Sequence, residues 1–301
     1  MPKFLAVCLN PTDQRTIRLE RLDKGEVNRA VESRLDASGK GVNVGRVLLQ
    51  LGEEVRHLTH LGPGREGFLR LCAEDGLEVV WAESASPIRT CTTLLDPTDG
   101  STTEIVEPTR SVEDDCVEAI RAAYTEQLTW ADWVILSGSK APGYPPDLFA
   151  DFCGEAAEAG VPVAADFRGK ELLASLSKGP ALVKINLVEF CATFLPELEV
   201  SEADDSSALP AAWEKLAELS ADGMDFVITR GARDILCAHR GRLSTVAPKR
   251  ISPVNTIGSG DATTAGMVHA LASGADLAAA AAEGARCGAV NATLLKPGTI
   301  V

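Results

Sequence analysis

The stretch "NTIGSGDATTAGM" at residues 255–267 decides how the rest of the chain is interpreted. Gly258 and Gly260 flank Ser259 and precede Asp261, and small residues then continue into a helix-like segment. The N–H groups of such glycines can reach phosphate oxygens, and a helix beginning here adds about half a positive charge at its N-terminus. Asp261 could stay ionised there and act as a base towards a hydroxyl. By itself, however, the stretch favours a plain helix cap, because Asp caps helices of every kind.

A second glycine-rich helix start lies in "DASGKGVNVGR", residues 36–46. Gly39 and Gly41 flank Lys40, so the stretch offers exposed amides and a cation, and Asn43 adds an amide side chain. It is not a Walker A loop, because no Ser or Thr follows the lysine. An ordinary helix start with an exposed lysine is the alternative. Two such starts favour a ligand site, since strand-to-helix turns share one edge of an open α/β sheet.

A third stretch, "KINLVEF" (184–190), carries a polar pair directly after a strand-like run. Asn186 and Glu189 are three residues apart and therefore fall on one face of the next helical turn. Their oxygen atoms suit Mg²⁺, which keeps most of its waters. The alternative is a capping box, with Asn186 as the cap and Glu189 at the third helical position. The residues alone leave both open.

Short apolar runs typical of buried strands alternate with segments of helical period. The strand-like runs are 4–9, 55–62, 77–81, 133–138, 161–166, 181–186 and 226–231. The helix-like segments are 42–52, 66–76, 114–128, 146–160, 209–223, 261–273 and 276–292. This alternation predicts an α/β fold with a mostly parallel sheet covered on both faces.

Two segments interrupt the alternation. Residues 15–31 alternate apolar and polar side chains, and residues 88–106 form two β-type runs joined by "DPTDG", a strong hairpin signal. We predict that they form a small antiparallel lid, made by residues 12–31 and 87–108, in a single domain of residues 1–301. A lid would exclude water from a phosphoryl transfer. A sheet extension that does not move is the alternative.

The composition excludes several classes of protein. A net charge of −14 repels nucleic acid and anionic membranes over most of the surface. No apolar run approaches the ~20 residues that cross a bilayer, and the first ten residues do not read as a signal peptide. The eight cysteines form no C-x-x-C pair, which indicates reduced thiols and a cytoplasmic protein. The acid-rich stretch 199–207 is predicted to be an exposed connection.

In order and spacing, these stretches resemble the ribokinase-like carbohydrate kinases of the phosphofructokinase-B type. The resemblance rests on "SGKGVN", "LSGS", "KINLVE" and "NTIGSGDATTAG", of which "GSGD" is the most specific part. "LNP" (9–11), "IRTCTTLL" (88–95) and "TEIVEP" (103–108) are most similar to the sugar-phosphate branch, which includes 1-phosphofructokinase and tagatose-6-phosphate kinase. The resemblance implies a ribokinase-like three-layer α/β/α fold with a β-sheet lid that often also makes a homodimer contact.

The resemblance also implies a role for each matching residue. Asp261 would take the proton from the sugar hydroxyl while the amides of Gly258, Ser259 and Gly260 hold the charge that develops on the γ-phosphate. The substrate side would comprise Asp13, Gln14, Gly39, Lys40, Asn43, Arg89 and Ser137, with Lys40 and Arg89 on the phosphate of the sugar. The nucleotide side would comprise Lys184, Asn186, Thr229, Gly231 and Asn291. ATP would be the co-substrate, and Asn186 and Glu189 would hold Mg²⁺ through water.

Three departures from the family pattern affect these expectations. Gln14 stands where the sugar-phosphate branch has a sugar-binding Asp, and Arg168 stands where a small hydroxyl residue is usual. Arg233 alters the glycine-rich nucleotide turn. Lys40, Arg89 and Asp261 match, so the reaction class follows from the resemblance while the identity of the sugar does not.

The sequence thus predicts an ATP-dependent kinase that phosphorylates a hydroxyl of a ketohexose phosphate to give a bisphosphate. Fructose 1-phosphate, tagatose 6-phosphate and fructose 6-phosphate are the candidate substrates. A kinase for an unphosphorylated sugar or nucleoside, and a relative that binds these ligands without catalysis, are the two alternatives.

Overall fold

The computed structural model describes residues 1–201 and 205–301. Its strands are β1 (Lys3–Val7), β2 (Thr12–Leu19), β3 (Ala30–Ser38), β4 (Glu54–Leu61), β5 (Glu78–Glu83), β6 (Arg89–Asp96), β7 (Ser101–Val106), β8 (Trp133–Ser137), β9 (Val163–Asp166), β10 (Leu182–Asn186), β11 (Asp225–Arg230), β12 (Arg233–His239) and β13 (Arg242–Val246). Its helices are α1 (Lys40–Gln50), α2 (Arg65–Glu74), α3 (Asp114–Leu128), α4 (Leu148–Glu158), α5 (Lys170–Leu176), α6 (Leu187–Phe194), α7 (Leu209–Leu219), α8 (Ser259–Ala272) and α9 (Leu277–Ala292).

The larger of the two sheets that these residues form has nine strands in the order β13-β12-β11-β10-β9-β8-β1-β4-β5. It is parallel from β5 to β11. Successive residues of a strand point to opposite faces, so Phe4 and Ala6 pack in one core with residues of α1 and α8. Leu5 and Val7 pack in a second core with residues of α3 and α4. Helices therefore cover both faces, and the predicted three-layer α/β fold is confirmed.

The antiparallel end of this sheet was not predicted. β12 pairs with β11 and β13 pairs with β12, both antiparallel. The hairpin turns at Arg240 and Gly241, whose φ angles are 48° and 71°, and two positive φ values at the turn match the twist of a two-residue hairpin. The side chains of β13 are mostly exposed, so this edge strand lacks the apolar run by which the other strands were recognised.

The smaller sheet, called the small sheet below, has the order β3-β2-β6-β7. The predicted hairpin of residues 88–106 is present as β6 and β7. Two features of the prediction are wrong. β2 pairs with β6 in parallel, and β3 continues through residue 38 directly into α1. The end of β3 was missed because residues 36–46 were interpreted only as a helix start.

No helix among the described residues is long and apolar enough to cross a membrane. All eight cysteines are free and buried. Of the acid-rich stretch 199–207, residues 202–204 lie outside the described part of the chain. Asp205, which was predicted to be exposed, is buried because Arg230 and Arg233 both pair with its carboxylate.

Candidate active site

The predicted site gathers at the carboxyl edge of the nine-stranded sheet. Asp166 ends β9 and Asn186 ends β10. Lys40, the first residue of α1, reaches Asp166 with its Nζ atom at 2.9 Å, and Lys184 of β10 reaches the carbonyl oxygen of Gly260 in α8 at 2.9 Å. Both glycine-rich helix starts therefore lie at the edge where open α/β sheets bind ligands.

Asp261 does not cap its own helix. The N-cap of α8 is Gly258, whose φ of 81° is left-handed, and a Cβ there would lie 2.4 Å from the backbone nitrogen of Gly298. Asp261 lies in the first turn and is only 6 % exposed. Its carboxylate accepts a hydrogen bond of 2.8 Å from Nδ2 of Asn43, which lies on α1. The plain-cap alternative is therefore excluded by the structure.

Asp166 holds the two lysines of the site together, and sequence reasoning missed it as a site residue. Its Oδ1 accepts from Lys40, and its Oδ2 accepts from Thr264 at 2.7 Å and from Lys184 at 3.4 Å. Burial raises the pKa of Asp166, but Lys184 and Lys40 outweigh burial and lower that pKa to about 2. The available signal was a charged residue at the end of the apolar run 161–166.

The charges around Asp261 oppose one another. Burial raises the pKa of Asp261 above its usual value, with a further contribution from Asp166, while Lys40, Asn43 and Lys184 lower it. Burial lowers the pKa of Lys40, but Asp166, Asp261 and Glu189 hold it above its usual value. The site thus contains a fully charged lysine beside a carboxylate whose proton affinity is raised, as a general base requires.

Asn186 and Glu189 form the capping box that the sequence left open. The Glu189 N–H donates to Asn186 Oδ1 at 2.7 Å, and the Asn186 N–H donates to Glu189 Oε2 at 3.2 Å. Glu189 Oε1 is not used by the cap and lies 3.9 Å from Nη1 of Arg168. No group of three or more His, Cys, Asp or Glu side chains in the described ranges is placed to hold a metal. An oxygen such as Glu189 Oε1 can still fit Mg²⁺ through water.

One face of the small sheet carries the polar side chains predicted for the sugar side. Thr12 and Arg89 are neighbours across β2 and β6, and Arg89 Nε donates to Thr12 Oγ1 at 3.1 Å. Gln14 lies on the same face and donates to Thr93 Oγ1 at 2.8 Å. The pKa of the Cys8 thiol is raised mainly by burial, and also responds to Asp261 and Arg89. Both charges therefore lie within electrostatic reach of the end of β1.

Asp13 does not belong to this group. Asp13 and Gln14 are adjacent on β2, so their side chains point to opposite faces of the small sheet. Asp13 lies within electrostatic reach of Cys72 in α2, on the side where Ala37 packs into the core. The prediction grouped Asp13 with Gln14 by sequence proximity, whereas the period of the strand puts the two side chains on opposite faces, and a contact of Asp13 with a substrate stays a prediction.

Two other residues predicted for the substrate side lie close to Lys40. Gly39 is the N-cap of α1 with a φ of 99°, a left-handed conformation that favours glycine. Ser137 at the end of β8 is buried, and its Oγ has no hydrogen-bond partner among the described residues. The neighbouring Gly138 lies against the Lys40 side chain, since a Cβ there would be 3.6 Å from it.

A cavity of about 210 Å³ is lined by Asn186, Thr229 and Gly231, three of the residues predicted for the nucleotide side. Asp205, Arg230 and Arg233 line the same cavity and were not predicted together. A larger groove of about 740 Å³ between α3 and α4 contains none of the predicted site residues. The smaller cavity is therefore the one associated with the candidate site.

Asn291 and Lys184 do not line that cavity. Asn291 is fully buried, and its Nδ2 donates to Ile257 O at 3.0 Å and Ser259 Oγ at 3.2 Å. Asn291 thus supports the loop before α8, and its contact with a nucleotide stays a prediction. Lys184 is buried between Asp166 and Gly260, next to the start of α8.

Comparison with known proteins agrees with this geometry. The pfkB family carbohydrate kinase profile matches residues 9–300. A 1-phosphofructokinase from Rhodobacter capsulatus is 31% identical over 280 residues, 92% of this chain and 86% of that protein. A 1-phosphofructokinase from Xanthomonas campestris pv. campestris is 33% identical over 273 residues, 89% of this chain and 83% of that protein. The structure of a possible 1-phosphofructokinase from Thermotoga maritima superposes with a TM-score of 0.86 at 23% identity, over 98% of this chain and 93% of that one.

The protein is a carbohydrate kinase, that is, a phosphotransferase with an alcohol group as acceptor. The fold and the position of the site at the sheet edge agree with this class. More narrowly, the chain belongs to the pfkB family. The fold is that of the ribokinase-like kinases, as the resemblance implied.

Proposed function

We propose that the protein is an ATP-dependent kinase that transfers the γ-phosphoryl group to a hydroxyl of a ketohexose phosphate and releases a bisphosphate. The observation that carries the proposal is Asp261, a buried carboxylate in the first turn of α8, hydrogen-bonded to Asn43 and flanked by Lys40 and Lys184. Fructose 1-phosphate is the first substrate to test, since both curated relatives described above are 1-phosphofructokinases. Tagatose 6-phosphate and fructose 6-phosphate are the other two.

Asp261 would take the proton from the acceptor hydroxyl as the phosphoryl group arrives. Phosphoryl transfer depends on alignment and on neutralisation of charge more than on covalent chemistry. The N–H groups of Gly258 and Gly260 lie at the positive end of α8 and would stabilise charge on the moving group. The Ser259 N–H donates to Thr256 O at 3.2 Å and would have to leave it to join them. Lys40 would add a positive charge, which its raised pKa keeps in place at any working pH.

Arg89 would hold the phosphate already on the sugar. Among the described residues no carboxylate forms an ion pair with Arg89, whose hydrogen bond goes to the neutral Thr12. In a chain of net charge −14, an arginine left without a carboxylate beside a buried polar face favours an anionic ligand. Lys40 differs, because Asp166 already pairs with it. We therefore assign the phosphate of the sugar mainly to Arg89.

The cavity lined by Asn186, Thr229 and Gly231 would take the ATP. Mg²⁺ would be held through water by Glu189, and by Asn186 if its cap opens, and would supply positive charge to the phosphates. The described residues fit such an ion only loosely, because the capping box occupies Asn186 Oδ1 and Glu189 Oε2.

An ATP-consumption screen tests the proposal. The panel contains the three ketohexose phosphates, their unphosphorylated sugars, ribose and adenosine, each with MgATP. We expect turnover with at least one ketohexose phosphate and much slower turnover with the neutral compounds. Turnover of neutral sugars or nucleosides alone would support the first alternative, and binding without turnover across the panel would support a relative without catalysis.

We also infer a homodimer formed through the small sheet, and a cytoplasmic location in keeping with the free thiols. Leu35 and Ile105 lie in one row across the small sheet, on the face opposite Gln14. They are 38% and 56% exposed, and exposed apolar side chains on one sheet face are typical of contact surfaces. Sedimentation analysis of Ile105→Lys should give a smaller species than the unsubstituted protein. Equal masses would count against this interface.

A further inference from the structure

The side chain of Arg46 is buried behind the base and is the largest fully buried side chain of the described residues. It extends from α1 and is 1 % exposed. Its guanidinium donates to four groups from four parts of the chain, namely Asp75 Oδ2 at 2.7 Å, Asn43 Oδ1 at 3.2 Å, Pro297 O at 2.8 Å and Ala37 O at 2.6 Å. A planar fork of donors held at four points is fixed in place.

The contact with Asn43 determines which way that amide points. A guanidinium only donates hydrogen bonds, so the Asn43 atom that faces Arg46 must be the oxygen. Ser38 Oγ lies 3.2 Å from the same oxygen and can donate to it as well. The Asn43 amide nitrogen is thereby turned towards Asp261 Oδ2, to which it donates at 2.8 Å. Arg46 thus acts on Asp261 through Asn43, without touching it.

We propose that Arg46 is a positioning residue for the catalytic base: it locks the Asn43 amide so that this amide donates to the Asp261 carboxylate. The inference rests on the proposed function, in which Asp261 is the base. Without the lock, the Asn43 amide can rotate by half a turn and present its oxygen to the carboxylate. Two facing oxygens repel, and the repulsion favours the protonated form of Asp261.

The other groups that face Asp261 are Lys40 from α1, Asp166 from β9, Lys184 from β10 and Cys8 at the end of β1. Within the described part of the chain, Arg46 forms its hydrogen bonds and ion pair with other groups than these. These groups affect the proton affinity of Asp261 equally in every Arg46 variant. A change in the pH profile of such a variant therefore indicates a change in the orientation of the Asn43 amide. A simple structural role for Arg46 would lower stability and would leave the profile where it is.

The test is the pH profile of kcat with saturating MgATP and fructose 1-phosphate, or whichever of the three ketohexose phosphates is turned over fastest. Arg46→Lys keeps the positive charge but cannot donate to four acceptors. We expect its acidic limb to move up by about one pH unit. Its kcat should approach that of the unsubstituted protein at high pH and fall about tenfold below the limb.

Asp75→Asn is the second variant, and it separates orientation from bulk charge. Asp75 is the carboxylate that fixes Arg46 Nε, so its loss loosens the guanidinium while Arg46 remains. Removing a negative charge would by itself move the acidic limb down. The positioning role predicts a smaller shift in the upward direction. This variant also keeps the test decisive if Arg46→Lys does not fold.

Gln50→Met is the matched control on the same helix. Gln50 bonds Thr299 Oγ1 and the Ile300 N–H, each at 2.7 Å, so it ties α1 to the same C-terminal segment as Arg46 without touching Asn43. We expect a lower stability and an unchanged acidic limb. An acidic limb that stays in place or moves down in folded Arg46→Lys and Asp75→Asn would overturn the inference.

Asp261→Asn, measured in parallel, distinguishes a failure of the positioning role of Arg46 from a failure of the assignment of Asp261 as the base. If it abolishes turnover while the Arg46 and Asp75 variants keep the profile of the unsubstituted protein, the positioning role is wrong and the proposed function stands. If Asp261→Asn keeps kcat and the acidic limb, Asp261 is not the base, and the inference fails together with that assignment.

Discussion

The first turns of α8 and α6 each contain an acidic residue, and the structure gives the two carboxylates opposite roles. Each helix begins after a strand or loop with an acidic residue in the first turn, which can serve either as a cap or as a functional group. In α6 the carboxylate of Glu189 turns back on the backbone of Asn186 and completes a capping box. In α8 the cap is Gly258, and the Asp261 carboxylate turns to Asn43 on a different helix.

The difference lies in what satisfies the first helical N–H groups. Where the N-cap side chain and the third residue satisfy each other, a carboxylate contributes mainly to stability. Where a glycine holds the cap position, the N–H groups stay available to an anion and the carboxylate is released for other partners. In α8, therefore, the glycine cap leaves the Asp261 carboxylate free to contact Asn43. Five substitutions, each with a measurement of its own, test the assigned roles, beginning with the largest expected effect.

Asp166→Asn should produce the largest loss, because Asp166 supports the start of α8 through Thr264 and Lys184. It leaves the buried Lys184 and the partly exposed Lys40 without their carboxylate, which we expect to lower the free energy of unfolding by about 3 kcal/mol in urea titrations at pH 7. The pKa of Asp166 is lowered from 3.8 to about 2 on folding. Its contribution is therefore complete above about pH 4 and is lost as the pH falls towards about 2.

The difference in stability between the unsubstituted protein and Asp166→Asn should accordingly shrink as the pH falls through that window. A difference that stays constant from neutral pH to pH values near about 3 would contradict the assigned ion pairs. Thr264→Val offers a control, since it removes one neutral donor to Asp166 and leaves both lysines paired. It should cost about 1 kcal/mol.

Asp261→Asn should lower kcat by at least about 10²-fold, the lower end of what a general base contributes. Because Asp261 caps nothing, its loss should leave the stability of α8 nearly unchanged. Steady-state kinetics and urea unfolding of the same preparation measure the two effects. An unchanged kcat would remove Asp261 from the mechanism.

Asp276 provides the matched control for Asp261. It is the N-cap of α9, where its side chain accepts from the Ala279 N–H at 2.8 Å. Asp276→Ala should lower the free energy of unfolding by about 1 kcal/mol and leave kcat unchanged. The two aspartates would then show opposite patterns, one affecting catalysis alone and the other stability alone.

Arg89→Ala should raise the KM for the sugar phosphate by at least about tenfold, the value of a charged hydrogen bond of roughly 1.5 kcal/mol. Only the KM for the sugar phosphate should rise, while the KM for ATP should stay unchanged. Arg18→Ala is the control on the small sheet, since Arg18 forms an exposed pair with Glu32 of a kind that contributes little. An equal loss with a neutral sugar would show that Arg89 does not hold the phosphate.

Much of this molecule could be predicted from sequence, for physical reasons that also explain the failures. Apolar runs such as 133–138 and 181–186 form central strands because a parallel strand covered on both faces buries nearly all of its side chains. β13 was not recognised in the sequence, because an edge strand with exposed side chains has no such run. The end of β10 places Asn186 at the carboxyl edge of the large sheet, which follows from topology. Lys40 follows β3 of the small sheet and reaches that edge through its side-chain contact with Asp166.

The finer arrangement depends on side-chain direction, which the sequence does not carry. Asp13 and Gln14 are adjacent in sequence yet face opposite sides of the small sheet. Asp166 stands in no glycine-rich motif, and its role became visible only when two distant lysines met it. The contact between Arg46 and the Asn43 amide likewise joins side chains whose orientation only the folded chain determines.

The smallest expected effects lie at α6, where two substitutions separate capping from any role of the carboxylate. Asn186→Ala removes the cap and should lower the free energy of unfolding by about 1 kcal/mol. Glu189→Gln keeps an oxygen that can accept from the Asn186 N–H, as capping boxes with Gln do, and removes only the charge.

Stability of Glu189→Gln should therefore match that of the unsubstituted protein, which urea unfolding measures without any ligand. If Glu189 also holds Mg²⁺ through water, the same variant should need a several-fold higher Mg²⁺ concentration for half-maximal rate, because a neutral oxygen attracts the ion less. An unaltered Mg²⁺ requirement would leave Glu189 as a cap alone, and the contrast between α6 and α8 would then be complete.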